Sequence, residues 1–214
     1  MQILSVSVGL PREIIDRRGK VRLTGIGKAP VQGVVRVSTQ GLEGDGQADR
    51  SVHGGEFRAV YVYPALHYRA WAEEEDRTDL EFGMFGENLT VDGTDERAVH
   101  IGDRFRVGGT RLEVTHPRIP CVKLGIRFND PTFPDRFLAS RRTGFFLRVL
   151  GEGPVAPGDS FELESHGPGR FTVRETLELF HGADPDRDRL VEIAALDALP
   201  PEWRDNARRR AGNA

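Results

Sequence analysis

The sequence contains a single cysteine, Cys121, among its 214 residues. One cysteine excludes an internal disulfide, and it argues against a structural zinc site and against an iron–sulfur cluster, which typically takes about four cysteines. No apolar run approaches the ~20 residues that a membrane-spanning helix needs, and residues 1–10 lack the features of a secretory signal. The expected location is therefore the cytoplasm, without a membrane segment.

An excess of basic charge is also lacking. The chain carries 30 basic and 33 acidic residues, for a formal net charge of −3, so it does not have the clustered positive charge of a nucleic-acid-binding protein. Lysine is scarce, because all basic residues except Lys20, Lys28 and Lys123 are arginine. Lys28 and Lys123 lie in loops rich in glycine or proline, which makes them candidates for ligand binding.

The residue patterns that are present predict a mostly β fold. Short β-branched or alternating segments indicate strands at residues 1–8, 31–39, 59–63, 99–107, 111–115, 144–150 and 158–163. A helix is expected after Pro64, another at 130–140, and a hairpin turn at Gly108 and Gly109. Regular structure is not expected in residues 9–20 or in the glycine-rich stretch that follows residue 40.

The composition changes at residues 165–170, which are typical of a linker. Beyond it the pattern is helical, and Thr172 with Glu175 forms a plausible capping box. A second helix is expected at about 185–199 and a third from Pro201. The sequence thus predicts two domains, at residues 1–165 and 171–214.

Cys121 lies in a segment, residues 116–124, that contains two prolines and is therefore expected to be a loop after a strand rather than a helix. Arg118, Lys123 and His116 are close in sequence. Nearby cations lower the pKa of a thiol and favour the thiolate, which attacks electrophiles or binds metals. A lone cysteine is more often a small buried hydrophobic residue, so the local sequence leaves both roles open.

Three polar loops should emerge from the strands, at residues 44–55, 85–90 and 117–123. The glycine pair Gly54 and Gly55 lets backbone N–H groups approach a ligand, and arginine and lysine can hold a phosphate. These features point to an anionic ligand beside a thiolate. Taken singly, several polar residues of the loops are more often turn-stabilising than functional: Asp45, Asp49, His53 and Glu87.

Six motifs in order resemble the MOSC family, in its YiiM-like branch. They are TGIGKAPV at 24–31, GLEGDGQAD at 41–49, HGG at 53–55, FGENLT at 85–90, IGD at 101–103 and PRIPCVKL at 117–124. The helical tail resembles the three-helix module of the same branch. The resemblance covers nearly the whole chain, and it places Cys121 where the family has its molybdenum ligand.

The resemblance implies a MOSC-type β-barrel with a few short helices and a small C-terminal helical subdomain. It also implies binding of the molybdenum cofactor (Mo-molybdopterin), a pterin dithiolene that ends in a phosphate, with Cys121 as the metal ligand. The residues that fall in the family motifs and are expected to contact the pterin and phosphate are Lys28, Arg50, His53, Gly54, Gly55, Asn88, Arg118 and Lys123. The expected catalytic residues are Cys121 together with His53 or Asp45, either of which would supply a proton through water.

The function implied by the resemblance is reduction of N-hydroxylated compounds, such as hydroxylamino purines, which would detoxify N-hydroxylated bases. The chain has no glycine-rich dinucleotide motif, so a separate electron-donor protein is expected. The helical tail would either dock that donor or cover a sheet edge. A homodimer is left open.

Three alternatives remain at this point. The protein could be a non-catalytic molybdenum cofactor carrier or sulfur-delivery module. It could be a metal-free enzyme in which His116 activates Cys121 as a nucleophile. More remotely, Lys123 could bind pyridoxal phosphate.

Overall fold

A computed structural model of the chain describes residues 1–15, 19–48, 54–182 and 185–213. The strands are β1 (Gln2–Val8), β2 (Arg12–Ile15), β3 (Val21–Thr24), β4 (Ala29–Val31), β5 (Val35–Ser38), β6 (Gly41–Leu42), β7 (Val60–Pro64), β8 (Leu89–Asp92), β9 (Arg104–Val107), β10 (Thr110–Pro117), β11 (Phe145–Gly151), β12 (Gly153–Val155) and β13 (Phe161–Ser165). The helices are α1 (Leu66–Glu74), α2 (Val122–Arg127), α3 (Phe133–Ser140), α4 (Val173–His181), α5 (Arg187–Ile193) and α6 (Pro201–Asn213), with a short 3₁₀ helix at Glu56–Arg58.

A large mixed sheet forms the centre of the fold. Its eight strands are ordered β13-β9-β10-β11-β7-β8-β1-β4, and neighbours are antiparallel except for the parallel pair β7 and β8. Backbone hydrogen bonds between Ile3 and both Gly158 and Asp159 link the segment before β13 to β1. The expected closed barrel is not shown among the described strands, because the order has β13 at one end and β4 at the other.

Strand β9 buries alternate residues, as the sequence pattern predicts for a strand with one covered face. In β9, Phe105 and Val107 are buried while the arginines beside them are exposed. The hairpin predicted at Gly108 and Gly109 is present, with Val107 paired to Thr110 across the turn. Gly108 has a φ of +53°, a conformation that glycine adopts without strain.

A second cluster of buried residues is aromatic. Phe85 is fully buried, and its ring lies 4.5 Å from that of Tyr63 and 5.7 Å from that of Phe137. Trp71 of α1 donates a hydrogen bond of 2.8 Å to the Tyr63 hydroxyl. Leu124 of α2 is buried in the same cluster, so the cluster supports both the FGENLT loop and the segment that follows Cys121.

Three elements differ from the sequence prediction. Residues 9–20 include β2, which pairs with β3 as a separate two-stranded sheet. The segment after Cys121 forms α2 and not an extended loop. Pro117 and Pro120 precede the helix and restrict only themselves and the residues before them, and Leu124 and Phe128 pack into the aromatic cluster. The helix expected at 185–199 is shorter, since α5 ends at Ile193.

The C-terminal helices pack directly on the sheet. The predicted capping box is confirmed, because Glu175 N donates to Thr172 Oγ1 at 3.0 Å and Thr172 N donates to Glu175 Oε2 at 2.9 Å. Buried residues of α5 and α6, including Leu190 and Ala207, belong to the same hydrophobic cluster as the sheet. The division into domains at 1–165 and 171–214 stays a prediction.

The segment that joins the sheet to the helices is held by a buried carboxylate. Asp103 accepts hydrogen bonds from the backbone N–H of His100 at 2.9 Å and of Gly167 at 3.0 Å. His166 Nδ1 lies 3.2 Å from the same carboxylate. Asp103 of the IGD motif therefore has a structural role.

Across the described ranges, no helix is long and apolar enough to cross a membrane.

Candidate functional site

A cavity of about 350 Å³ opens beside Cys121. Its size lies within the range of roughly 300–1,000 Å³ that is usual for small-molecule sites. Among its described lining residues, four are cationic and one is a carboxylate: Lys28, Arg58, Arg118 and Lys123 against Asp45. The cavity therefore has the charge that an anionic ligand requires.

The position of Cys121 follows from the elements around it. Strand β10 ends at Pro117, and Cys121 is an extended residue with φ −126° and ψ 171° just before α2 begins at Val122. The side chain is half-buried and lines the cavity. The prediction that Cys121 lies outside a helix, after a strand, is confirmed, and the residue borders a space that a ligand can enter.

Arg118 is the buried cation beside this cysteine. It is 8% exposed, donates a hydrogen bond to the carbonyl of Phe85, and its guanidinium lies 4.7 Å from the Tyr61 ring. Burial opposes its charge, but interactions with Tyr61 and Cys121 outweigh that cost and raise the pKa of Arg118. Arg118 thus supplies a permanent positive charge next to the thiol.

Lys28, Asp45 and Asn88 form a second buried group. Lys28 Nζ contacts Asp45 Oδ2, with the two side chains 9% and 8% exposed. Asn88 Nδ2 donates to the same oxygen at 2.9 Å, and Gly9 N donates to Asp45 Oδ1 at 2.9 Å. Burial lowers the pKa of Lys28, although Asp45 acts in the opposite direction. Because Asp45 is an acceptor in every one of these contacts, the geometry favours a role in positioning Lys28 and Asn88.

His116 is buried at the other side of the cavity. Arg58 Nε donates to His116 Nε2 at 3.3 Å, so this nitrogen carries a lone pair and the ring proton lies on Nδ1, which is 2.9 Å from Thr115 Oγ1. Burial, followed by the charge of Arg58, lowers the pKa of His116 well below its ordinary value. His116 is therefore neutral, and both ring nitrogens are engaged.

We expect His116 to make folding sensitive to mild acid. Below its ordinary pKa of 6.5, the unfolded chain binds a proton that the folded chain does not, so stability falls with falling pH by up to about 1.4 kcal/mol per pH unit. Urea unfolding between about pH 7 and pH 5 should show a shallower pH dependence in His116→Asn than in the parent chain.

His181 serves as the comparison, because its pKa is also lowered, first by burial and then by Arg141 and Arg210. In a His181→Asn variant, the part of the pH dependence of stability that His116 causes should remain. Parallel curves for the parent chain and His116→Asn would contradict the assignment.

Aromatic side chains connect the two sides of the cavity. Ring centroids are separated by 5.1 Å between Tyr61 and Phe146, 5.0 Å between Phe146 and His116, and 5.3 Å between His116 and Trp203. All of these residues line the cavity. Trp203 belongs to α6, so the C-terminal helices contribute directly to the site.

The structure brings together most of the residues predicted from the sequence. The cavity is lined by Lys28, Asp45, Asn88, Arg118, Cys121 and Lys123. Gly54 and Gly55 instead precede the short 3₁₀ helix that carries Arg58, and Gly55 O accepts a hydrogen bond from Arg58 N at 3.1 Å. The predictions for Arg50 and His53 lie outside the described residues. Glu87 is buried and accepts from Gly83 N at 2.8 Å, so it stabilises its loop.

Sequence reasoning missed Arg58, Tyr61, Phe146 and Trp203. Arg58 follows the HGG motif by three residues, and an arginine next to a proposed anion-binding loop was a usable signal. The other three are aromatic residues whose local patterns indicate only strand or helix.

Two family models match the chain in succession. The MOSC domain model matches residues 49–162, and the model of the YiiM-like 3-alpha helix domain matches residues 171–210. The chain belongs to the MOSC family. The resemblance expected from the motifs, including the YiiM-like branch, is confirmed.

Known MOSC-family relatives are similar over most of this chain. The uncharacterized protein YflK of Bacillus subtilis (strain 168) is 39% identical over 202 residues, which is 94% of this chain and 90% of that protein. The crystal structure of YiiM from Geobacillus stearothermophilus matches with a TM-score of 0.83 and 30% identity, covering 98% of each chain. A protein of Gibberella moniliformis named "Reductase" is 35% identical over 77% of this chain, but the match covers only 30% of that protein.

Proposed function

We propose that this MOSC protein binds the molybdenum cofactor at Cys121 and reduces N-hydroxylated substrates with electrons from a separate redox partner. The observation that carries the proposal is the cavity in which the single sulfhydryl lies beside the buried guanidinium of Arg118. A sulfur ligand suits molybdenum, and a surrounding excess of cations suits a phosphate.

The residues present fit this cofactor. Cys121 would provide the sulfur ligand, and Arg118 and Lys123 would offset the negative charge of the pterin phosphate. Lys28, whose charge is balanced by Asp45, would donate a hydrogen bond. Asn88 Nδ2 is held by Asp45 Oδ2 at 2.9 Å and its Oδ1 by Tyr61 N at 3.0 Å, so its orientation is fixed before a ligand binds. When bound, the cofactor supplies a two-electron centre that can take up an oxygen atom.

Reduction of an N-hydroxylated amine breaks the N–O bond, consumes two electrons and two protons, and yields an amine and water. The electrons come from the separate donor. Asp45 was predicted as one source of a proton, but its contacts with Lys28, Asn88 and Gly9 favour a positioning role. Proton delivery by His53 through water stays a prediction.

A cofactor carrier or sulfur-delivery module would need the same binding residues, so the carrier remains the second candidate. The metal-free alternative is less favoured, because a base that activates Cys121 needs a ring nitrogen directed at its sulfur. Both nitrogens of His116 are engaged with Arg58 and Thr115. A pyridoxal phosphate site at Lys123 gains no support from the MOSC match.

A reductase activity is favoured over a carrier by the fungal relative, which is itself named a reductase. The match covers a minor part of that longer protein, so its name supports the reaction class alone. The N-hydroxylated substrate, the detoxification of bases, the separate donor, the homodimer and the cytoplasmic location stay predictions.

The test uses protein produced in a host that makes the molybdenum cofactor. Molybdenum per chain is measured by mass spectrometry, and reduction of a hydroxylamino purine is followed with an artificial electron donor. Metal binding with turnover is the expected result. Metal binding without turnover would favour the carrier, and a metal-free protein with an intact fold would overturn both.

A further inference from the structure

We infer that the C-terminal helical module forms part of the substrate pocket, with Trp203 as a stacking surface for planar substrates and Glu202 as the positioning residue for Arg58. The inference rests on the proposed function for its kinetic test. It differs from the expectation that the tail either docks an electron donor or covers a sheet edge.

The first observation is the placement of Trp203. The residue is half-buried, lines the cavity, and lies beside His116. Its other side packs against Phe180 of α4, with the ring centroids 4.6 Å apart. A tryptophan held between a helix and the cavity wall presents a rigid apolar surface to whatever enters.

The second observation is that Trp203 extends a row of aromatic rings. The row runs from Tyr61, which lies beneath the guanidinium of Arg118, through Phe146 and His116 to Trp203, in steps of 5.1, 5.0 and 5.3 Å. The rings are inclined to one another by 35°, 21° and 58°, so they form an aromatic wall and not one flat platform. An aromatic face that lines a cavity can stack a flat ring system. The row starts beside the proposed cofactor site and ends at Trp203 in the C-terminal module. A substrate that reaches the cofactor site would therefore also contact the module.

The third observation concerns Arg58. Its Nη2 donates to Glu202 Oε1 at 2.9 Å, while its Nε donates to His116 Nε2 at 3.3 Å. The guanidinium group is thus held by a residue of the sheet, His116, and by a residue of α6, Glu202. Arg58 lines the cavity, and a guanidinium has five N–H donors, so donors remain to bind the polar end of a substrate.

These contacts connect helix α6 to the cavity. Without Trp203 and Glu202 the cavity would lose one aromatic wall and the restraint on one of its cations. The rest of the lining comes from the sheet, from the Cys121 loop and from the loops at residues 24–28 and 45–48.

The kinetic test compares Trp203→Leu with the parent protein, both loaded with cofactor. Two substrates are used, a hydroxylamino purine and a small aliphatic N-hydroxy compound. Because stacking of one base on an aromatic side chain is worth about tenfold or more in affinity, the ratio of kcat/KM for the planar over the aliphatic substrate should fall about tenfold. An unchanged ratio would overturn the assignment of Trp203.

The role of Glu202 is tested with Glu202→Gln, and Asp205→Asn on the same helix is the matched control. Asp205 pairs with Arg208 at the exposed surface. Glu202→Gln should raise KM about threefold, as expected for a partly exposed ion pair, and leave kcat in place, while Asp205→Asn changes neither. Equal loss of kcat in both variants would mean that the helix is merely structural.

A binding test separates this inference from the proposed reaction. The chain has two tryptophans, so Trp71→Phe leaves Trp203 as the single tryptophan, and a purine base added to the metal-free protein should quench its selectively excited fluorescence saturably. Quenching without any N-hydroxyl reduction would leave the inference standing and remove the proposed function. Reduction without quenching would do the reverse. Trp71 is buried and bonded to Tyr63; should Trp71→Phe fail to fold, the kinetic comparison decides.

Discussion

Replacing Cys121 with serine should abolish N-hydroxyl reduction and lower the molybdenum content of the purified protein. The change removes one sulfur atom from a half-buried position and leaves a side chain of similar size, so the fold should persist. Loss of residues that only orient a metal ligand costs roughly 10–100-fold in affinity or activity. Loss of the ligand itself should therefore reduce turnover by at least about 100-fold.

The neighbouring variant Val122→Ser is the matched control, because Val122 is 63% exposed and follows Cys121 directly. It should retain both metal and turnover. Molybdenum per chain and initial rates with an artificial donor are measured on all three proteins, together with thermal unfolding. Full activity in a folded Cys121→Ser protein would show that the sulfur is not the ligand.

Replacing Asp45 with alanine should cause the largest loss of stability at the site. The carboxylate is the partner of Lys28, whose side chain is 9% exposed, and it also accepts from Gly9 N and Asn88 Nδ2. Removing one member of a buried ion pair leaves an uncompensated charge, at a cost of about 3–5 kcal/mol. Urea unfolding at neutral pH measures this difference.

A double-mutant cycle tests the cause. Lys28→Met combined with Asp45→Ala removes both charges. The loss in free energy of unfolding of the double variant should therefore be smaller than the sum of the two single losses by at least about 1 kcal/mol. The control is Glu43→Ala, because Glu43 is exposed and close in sequence; its effect should stay within about 0.5 kcal/mol. Strictly additive losses would mean that Lys28 and Asp45 do not stabilise one another.

Much of the strand and helix pattern was predictable because it depends on local residue spacing. The alternation in β1, the turn at Gly108 and the Thr172–Glu175 capping box each depend on residues that lie within a few positions of one another. Where prediction was wrong, packing with distant residues decided the outcome. Helix α2 forms beside two prolines because Leu124 is buried among aromatic residues from other parts of the chain.

The residues of the site likewise fall into those that the local sequence predicts and those that it does not. Loops rich in glycine, arginine and lysine, and a cysteine between prolines, are visible in the sequence, and six of the predicted residues do line one cavity. Tyr61 and Phe146 were missed because a strand residue gives no local sign of which face meets a ligand. Glu202 is 144 positions from Arg58, and no local pattern relates them.

The sequence by itself determined the family, the single sulfhydryl group and the excess of cations in the loops around it, because these depend on residue type and on short motifs. Only the tertiary structure decided the strand order of the mixed sheet, the contacts of Asp45 with Lys28 and Asn88, and the position of Trp203 at the cavity. The physical reason is that a cavity is built from side chains distant in the chain, whose contacts arise only when the sheet and the helices pack together.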